Sequence, residues 1–441
     1  MNESRRSEPV QWLYDLQHFG IKLGLDNIRA LLDLHGRPER AYRTAIVGGT
    51  NGKGSVAATV AALADAHGRT SGMFTSPHLV HPRERIRIGG CDLSAEDLDR
   101  RLIAMRARLE AARREGVLDV QPSFFEVMTA VALDAFRDRG VHTAALEVGL
   151  GGRLDATNAV DADVAVVVTV DYDHMKTLGP SIERIAVEKA GIVKPGAPLV
   201  TATRRPEALA VLNRVARERR APLIHALDVT TLHERDDGTC DVATPQARYE
   251  RLRPSLAGRH QRENLRTALT VFECLASLDG TRPDPDAVRR GVAAVRWPGR
   301  LDWRPGPPVT LFDAAHNAEG ARLLAEYLGS LDPIPRRGTW LFGAMKGKQF
   351  DALLEPLTPF VERVVLTTPG VARAADPDEL ERAVARHYAD ARRIDDPAEA
   401  FAAARSSVPE DGFLLVAGSL YLVGEILGLE RTAEVAGPIS M

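Results

Sequence analysis

Short apolar runs at 44–47, 143–148, 164–170 and 198–201 are rich in Val, Ala and Ile and are bounded by Gly, Asp or Pro. Such runs predict strands buried on both faces, as in a parallel sheet. Between them, apolar positions recur at helical spacing over 55–67, 94–115, 123–139, 182–190 and 207–219. Strand and helix alternate, so the class is α/β. The stretch 229–252 is different: polar and apolar residues alternate around Asp236, Asp237 and Gly238, which predicts a hairpin on the edge of the first domain. Helical patterns at 261–277 and 285–295 lead to Pro298, Gly299 and the segment 304–308, where Pro and Gly mark a break. Strands are expected again at 309–312, 339–342, 363–367 and 412–416, with helices between and after them. This predicts two domains, 1–300 and 301–441, the second resembling half of a doubly wound sheet.

Composition adds limits. A chain of 441 residues, 44% hydrophobic and 27% charged, has material for more than one core. The formal net charge of -3 gives no reason to expect nucleic acid or an anionic membrane as partner. The start, MNESRRSEPVQW, lacks the apolar stretch of a secretory signal, and the run 162–170 is too short to cross a bilayer. A cytoplasmic protein is expected. Cys91, Cys240 and Cys274 are isolated, without the paired spacing of a zinc site or a disulfide framework.

The clearest chemistry follows the first strand. Gly49, Thr50, Asn51, Gly52, Lys53, Gly54 and Ser55 lie between a strand and a helix, where a glycine-rich turn wraps backbone N–H groups around phosphates. Lys53 would neutralise the β- and γ-phosphates. The loop is a variant: Val47 stands where the standard pattern has its first Gly, and Gly54 separates Lys53 from Ser55. The competing reading is a turn that merely links strand to helix. The second domain has no GxGxxG, so dinucleotide binding is not supported.

The string GTNGKGS (49–55) resembles the phosphate loop of the Mur ligase superfamily, and the chain is similar throughout to its folate branch, the dihydrofolate synthase and folylpolyglutamate synthase family. Motifs that carry the resemblance include IKLGLDNIRALL (21–32), TSPHL (75–79), ERIRI (84–88), EVGLGGRLDATN (147–158) and DHMKTLG (173–179). Others are EKAGIVKPG (188–196), GRHQRENLRTAL (258–269), PGRLDW (298–303), DAAHNAEGA (313–321), FGAMKGK (342–348) and GSLYLVGE (418–425). The resemblance implies a P-loop-type ATPase domain with a mostly parallel sheet and a smaller Rossmann-like glutamate ligase domain. It implies ATP-dependent joining of L-glutamate to dihydropteroate, to reduced folate, or to both, through an acyl phosphate, giving ADP and phosphate.

The same resemblance implies the site residues. Ser76, Glu147, His174 and Lys189 would hold magnesium, two ions being expected, with Lys189 carbamylated to hold the second. Lys53, Glu147, His174, Lys189 and His316 would stand close to the chemistry. ATP would be met by the loop, Asn264, Arg300 and Asp313, and the pterin by Ser123, Phe124, Phe125, Glu126, Leu154, Asp155 and Ala156. Bland readings stand beside these: Ser76 as a turn cap, Glu147 as an ion-pair partner, His174 as a loop histidine, Phe124 and Phe125 as core. Ser123 and Glu126 also have capping-box spacing, and Arg300 could be a solvated linker residue. Three departures from the family pattern, Ala314, Gly347 and Gln349, fall in the second domain.

Two rival functions fit the phosphate loop. A cell-wall precursor ligase of the same superfamily would need an extra N-terminal domain, and only 43 residues precede the strand at 44–47. A P-loop nucleotide switch is the rival from another class, and it would need no second α/β domain. The expected partners are small molecules only, and a monomer is the expected state.

Overall fold

The computed structural model describes residues 6–19, 24–116, 121–334 and 337–435. Ile21, Lys22 and Leu23 of the first motif lie outside the described residues.

Eight strands form the first sheet: β1 (Arg43–Gly48), β2 (Ser71–Phe74), β3 (Ile86–Ile88), β4 (Cys91–Asp92), β5 (Thr143–Glu147), β6 (Val164–Val167), β7 (Leu199–Thr201) and β8 (Leu223–His225). Their order is β4-β3-β2-β5-β1-β6-β7-β8. Pairing is parallel from β2 through β8, and β3 and β4 add two antiparallel strands at one edge. The pleat of β1 divides its side chains between two cores. Ile46 packs with Ile185, Ile192 and Leu199, whereas Ala45 and Val47 pack with Val56, Val60 and Val271. The helix Lys53–Ala66 is apolar nearly all round because it is covered twice, by the sheet and by the helices Arg259–Leu278 and Pro285–Ala294.

Two elements differ from the pattern read off the sequence. The segment 229–252 is not an edge hairpin: β9 (Thr231–Glu234), β10 (Cys240–Ala243) and β11 (Arg248–Leu252) make a separate antiparallel sheet, ordered β11-β10-β9. The reason is its apolar face, where Cys240, Val242, Tyr249 and Leu252 pack on Leu63, Leu269 and Phe272. The helices Glu8–Asp15 and Asp26–Leu34 were not read from the pattern. They place Val10, Leu13, Ile28 and Leu31 against Val127 and Val131 of the helix Phe124–Asp138.

The remaining strands form a second sheet: β12 (Asp302–Arg304), β13 (Thr310–Phe312), β14 (Gly338–Phe342), β15 (Val361–Leu366), β16 (Asp390–Arg393) and β17 (Leu414–Ala417), ordered β12-β13-β17-β14-β15-β16. Only β12 with β13 is antiparallel. Here too the pleat feeds two cores: Trp340 and Phe342 pack with Leu353 and Val364, and Leu341 and Val416 with Leu422 and Ile426. The final helix, Leu420–Val435, reaches back to the first sheet's loops. A Cβ on Gly424 would lie 2.0 Å from Leu79 O, so only glycine lets helix and loop approach this closely. Among the described residues no helix is long and apolar enough to cross a membrane.

Candidate active site

The register of the first sheet assembles the site. Val47 of β1 lies opposite Glu147 of β5, and Gly48 lies opposite Val167 of β6, so the loops after these three central strands meet at the carboxyl end of the sheet. The expected strand 164–170 stops at Val167 because the residues after it serve the phosphate loop. Thr50 N–H donates to Thr169 O (2.8 Å), and Asn51 N–H donates to Thr169 Oγ1 (3.0 Å). Gly49 (φ 145°) and Gly52 (φ 83°) occupy backbone conformations that side chains disfavour. A Cβ on Gly52 would also lie 2.5 Å from Asn264 Oδ1, which places Asn264 directly against the loop. Lys53 opens the helix, and its Nζ donates to Gly49 O and Thr50 O, both at 3.0 Å.

Three of the four expected metal ligands share an electrostatic neighbourhood with this loop. Glu147 is buried, and its Oε2 accepts from Ser76 N–H at 3.0 Å. Burial pushes its carboxyl up from the usual range, opposed by Lys53, by that N–H, and by Arg300 and Arg85. Lys189 is buried in the helix Ile182–Ala190 and donates to Gly49 O at 2.9 Å. Burial and the charge of Lys53 push its amine down to about 7. His174 (φ 48°) is half exposed. Burial lowers its pKa, Asp173 opposes, and Lys348, Lys53 and Lys189 lower it further. Among the described residues no three His, Cys, Asp or Glu side chains converge as a ready-made metal cage. Glu147 itself offers a carboxylate oxygen, the kind of donor that magnesium accepts while keeping several waters.

The second sheet contributes from the ends of β13 and β14. Asp313 is buried and accepts from Leu301 N–H and Ala315 N–H, both at 2.8 Å; burial raises its carboxyl and Arg300 opposes. Its hydrogen bonds therefore fix the turn that carries His316. The Nδ1–H of His316 donates to Ala314 O (2.8 Å), which leaves Nε2 as the acceptor, and burial pushes its pKa down to about 4. Lys348 Nζ lies 3.9 Å from Asp173 Oδ1, linking the two halves. Burial alone would raise Asp173, but His174, Lys348, His316 and Lys53 hold it below the usual carboxylate range. The departures fit their surroundings: Ala314 is buried with its N–H on Gly299 O (2.9 Å), and Gly347 (φ 76°) takes a conformation that favours glycine. Gln349 N-caps a short helix without a side-chain bond.

Arg85, one of the charges that oppose the burial of Glu147, belongs to an aromatic cluster. Phe124 packs 5.6 Å from Tyr14, Phe125 lies 5.6 Å from Phe74, and the Arg85 guanidinium stacks 4.9 Å from the Phe124 ring. Arg85 Nε donates to His78 Nδ1 (2.9 Å), and His78 Nε2 meets the Tyr14 hydroxyl at 3.0 Å. Ser123 and Glu126 form a capping box, with Glu126 Oε2 accepting from Ser123 N–H (2.7 Å) and Oγ–H (2.8 Å). Asp155 accepts from Leu150 N–H (2.9 Å), Thr157 N–H (3.0 Å) and Thr157 Oγ–H (2.6 Å), so it braces the turn beside Gly149. Leu154 is half-buried and Ala156 buried. The residues that sequence reasoning did not single out are Tyr14, His78, Arg85, Asp173, Glu319 and Lys348. Most of them stand inside the quoted motifs, so a signal existed for all but Tyr14, yet nothing there distinguished them from their neighbours.

The family model for the Mur ligase glutamate ligase domain matches residues 299–420. A Bacillus subtilis dihydrofolate synthase/folylpolyglutamate synthase is 32% identical over 426 residues, which is 94% of this chain and 96% of that protein. The Escherichia coli protein of the same description is 31% identical over 95% of this chain and 94% of its own length. Among solved structures, E. coli FolC in complex with DHPP and ADP superposes with a TM-score of 0.85 at 30% identity, covering 97% of this chain and 98% of that one. Mycobacterium tuberculosis folylpolyglutamate synthase complexed with ADP and AMPPCP gives 0.86 at 32% identity, covering 96% and 99%. Matches of this extent cover both sheets and the site between them, and the chain belongs to the dihydrofolate synthase/folylpolyglutamate synthase family.

Proposed function

We propose that this protein is an ATP-dependent ligase that joins L-glutamate to a pteroate or folate carboxylate, acting on dihydropteroate, on reduced folate, or on both. The observation that carries this is the meeting of a phosphate loop, led by Lys53, with the buried carboxylate of Glu147 at the carboxyl end of one sheet. The end-to-end likeness to proteins with these activities supports it.

In this mechanism the acceptor carboxylate takes the γ-phosphoryl group, the P–O bond to ADP breaks, and an acyl phosphate forms. The glutamate amine then adds to the acyl carbon, the C–O bond to phosphate breaks, and an amide, phosphate and a proton leave. Lys53 and the N-terminus of its helix bind the phosphates and absorb charge that develops during transfer. Asn264, seated against Gly52, and Arg300, beside Asp313, complete the nucleotide side. The aromatic wall of Phe124, Phe125 and Tyr14 offers a flat apolar surface to the pterin, with the Arg85 guanidinium as its charged neighbour. The capping box of Ser123 and Glu126 starts the helix that carries Phe124 and Phe125, and Asp155 braces its own turn. Ser76, Glu147 and His174 would hold magnesium, which supplies charge neutralisation for phosphoryl transfer.

Lys189 fits the carbamate reading on physical grounds. An amine held near pKa 7 by burial and by Lys53 is about half neutral at pH 7, and the neutral amine is the form that adds to CO2. The N–C bond forms, a proton leaves, and a buried amine becomes an anion beside the loop, able to join a second magnesium's coordination. His316, neutral and oriented by Ala314 O, keeps Nε2 free to accept a hydrogen bond from a substrate group, in the field of Lys348 and Arg300. The expected setting is cytoplasmic, and a monomer is the expected state, since the residues proposed for the site all come from one chain.

The test is ADP release by the purified protein with magnesium, supplied in turn with dihydropteroate or tetrahydrofolate. Release that requires both an acceptor and glutamate supports the reading. Slow release indifferent to both would favour a nucleotide switch and overturn it.

A further inference from the structure

Glu319 has no part in the mechanism above. It lies in the first turn of the helix Ala318–Gly329, whose N-cap, Asn317, accepts from Gly320 N–H at 2.8 Å. From there its carboxylate crosses to the other half of the molecule and accepts from Asn51 Nδ2 of the phosphate loop. Asn51 is held on its other side as well. Its N–H donates to Thr169 Oγ1 (3.0 Å), and that hydroxyl donates back to Asn51 O (3.2 Å). The crown of a loop flanked by two positive-φ glycines is thus pinned from both directions, by β6's loop and by the helix that follows β13.

The surroundings argue that the contact is specific. Thr50 Oγ–H donates to Asp171 O (3.1 Å), Asp171 N–H donates back to Thr50 Oγ1 (2.9 Å), and Arg205 holds the Asp171 carboxylate at 2.7 Å. Burial, and after it the charge of Asp171, push the Glu319 carboxyl up, while Asn51, Arg322 and Arg205 favour its ionised form. A carboxylate placed beside another, at the rim of an anion-binding loop, is held there at an electrostatic cost, and the amide of Asn51 is the partner that offsets it. A metal cage is not the explanation, because no third acidic or imidazole side chain joins the two among the described residues.

We propose that Glu319 is a positioning residue: by holding Asn51 it keeps the phosphate loop in register with the half of the molecule that carries His316 and Lys348. Phosphoryl transfer and amide formation then share one alignment. The proposal rests on reading 49–55 as the phosphate loop.

The experiment measures kcat and the KM values for ATP and acceptor in the wild type, E319A, E319Q, N51D, N51D/E319Q and K53A. E319A is expected to lower kcat about tenfold or more, the worth of a hydrogen bond to a charged group, with the acceptor KM unchanged. E319Q keeps an acceptor oxygen for Asn51 and is expected to stay within about threefold of the wild type. N51D faces carboxylate with carboxylate and should fall below E319A; adding E319Q exchanges donor and acceptor, and should raise kcat about tenfold above that of N51D. That rescue decides the matter if E319A fails to fold. Wild-type kcat in E319A overturns the proposal. So does E319Q as impaired as E319A, which would mean that the charge matters rather than the bond, and so does N51D/E319Q without recovery. Full activity in K53A would overturn the phosphate-loop reading itself, and the proposal with it.

Discussion

Replacing Gly54 by alanine adds one methyl group where the helix behind the phosphate loop touches Trp297. A Cβ there would lie 2.4 Å from Trp297 Cζ2, 2.9 Å from Cε2 and 3.1 Å from Nε1. Carbon contacts need about 3.5 Å, so loop and indole must separate by about 1 Å. The indole has little freedom to give way, since it packs against the core around Val56 and the Arg87 guanidinium lies 5.3 Å from its ring. Overpacking of this kind costs about 1–3 kcal/mol, and alanine returns about 1 kcal/mol of helix propensity, so the net loss of stability is about 0–2 kcal/mol. Activity should suffer far more, because a shift of about 1 Å in groups that position a reacting phosphate is worth about a hundredfold in rate. The assay is kcat/KM for ATP from ADP release, with melting temperature alongside. We expect a loss of about a hundredfold with melting lowered by a few degrees at most, and partial recovery in G54A/W297L. G54A with kcat/KM within about threefold of the wild type would refute the argument that Trp297 sets the loop's position.

Lys189 is protonated below about pH 7, and an ammonium cannot add to CO2, so activation by bicarbonate should fade as pH drops through 7. Intact mass above that pH should show one added CO2, absent in K189A, and short carboxylates should restore part of that variant's activity. Asp155 serves three donors within its own turn, so D155A should lower stability by about 1–3 kcal/mol, read as a fall in melting temperature, while the acceptor KM of the folded enzyme stays unchanged. A raised acceptor KM at constant melting temperature would instead put Asp155 in the pocket.

The α/β class and most of the strands are legible because burial on both faces leaves continuous Val, Ala and Ile runs, as at β1, β5 and β6. The phosphate loop is legible because its glycines have a backbone reason and its lysine has a charge to meet. Other parts leave no such trace. Short strands such as β3, β4 and β12 have too few residues to show a period. The sheet β9 to β11 reads as an edge hairpin because alternation reports one buried face without saying what covers it. Asp155 and Glu126 sit in motifs suited to a ligand, yet their oxygens are used by backbone donors, which sequence spacing alone did not separate from ligand binding. Glu319 stands inside a quoted motif but is not singled out there, because its partner Asn51 is 268 residues away and only the docking of the two sheets brings them together.

The most direct test of the account follows an atom rather than a rate. The acceptor, dihydropteroate or tetrahydrofolate, is prepared with 18O in its carboxylate and turned over with ATP, magnesium and glutamate. Ligation through an acyl phosphate transfers one carboxylate oxygen to the γ-phosphoryl group, so the released phosphate must carry a single 18O. Unlabelled phosphate, released while ADP accumulates, would contradict the account.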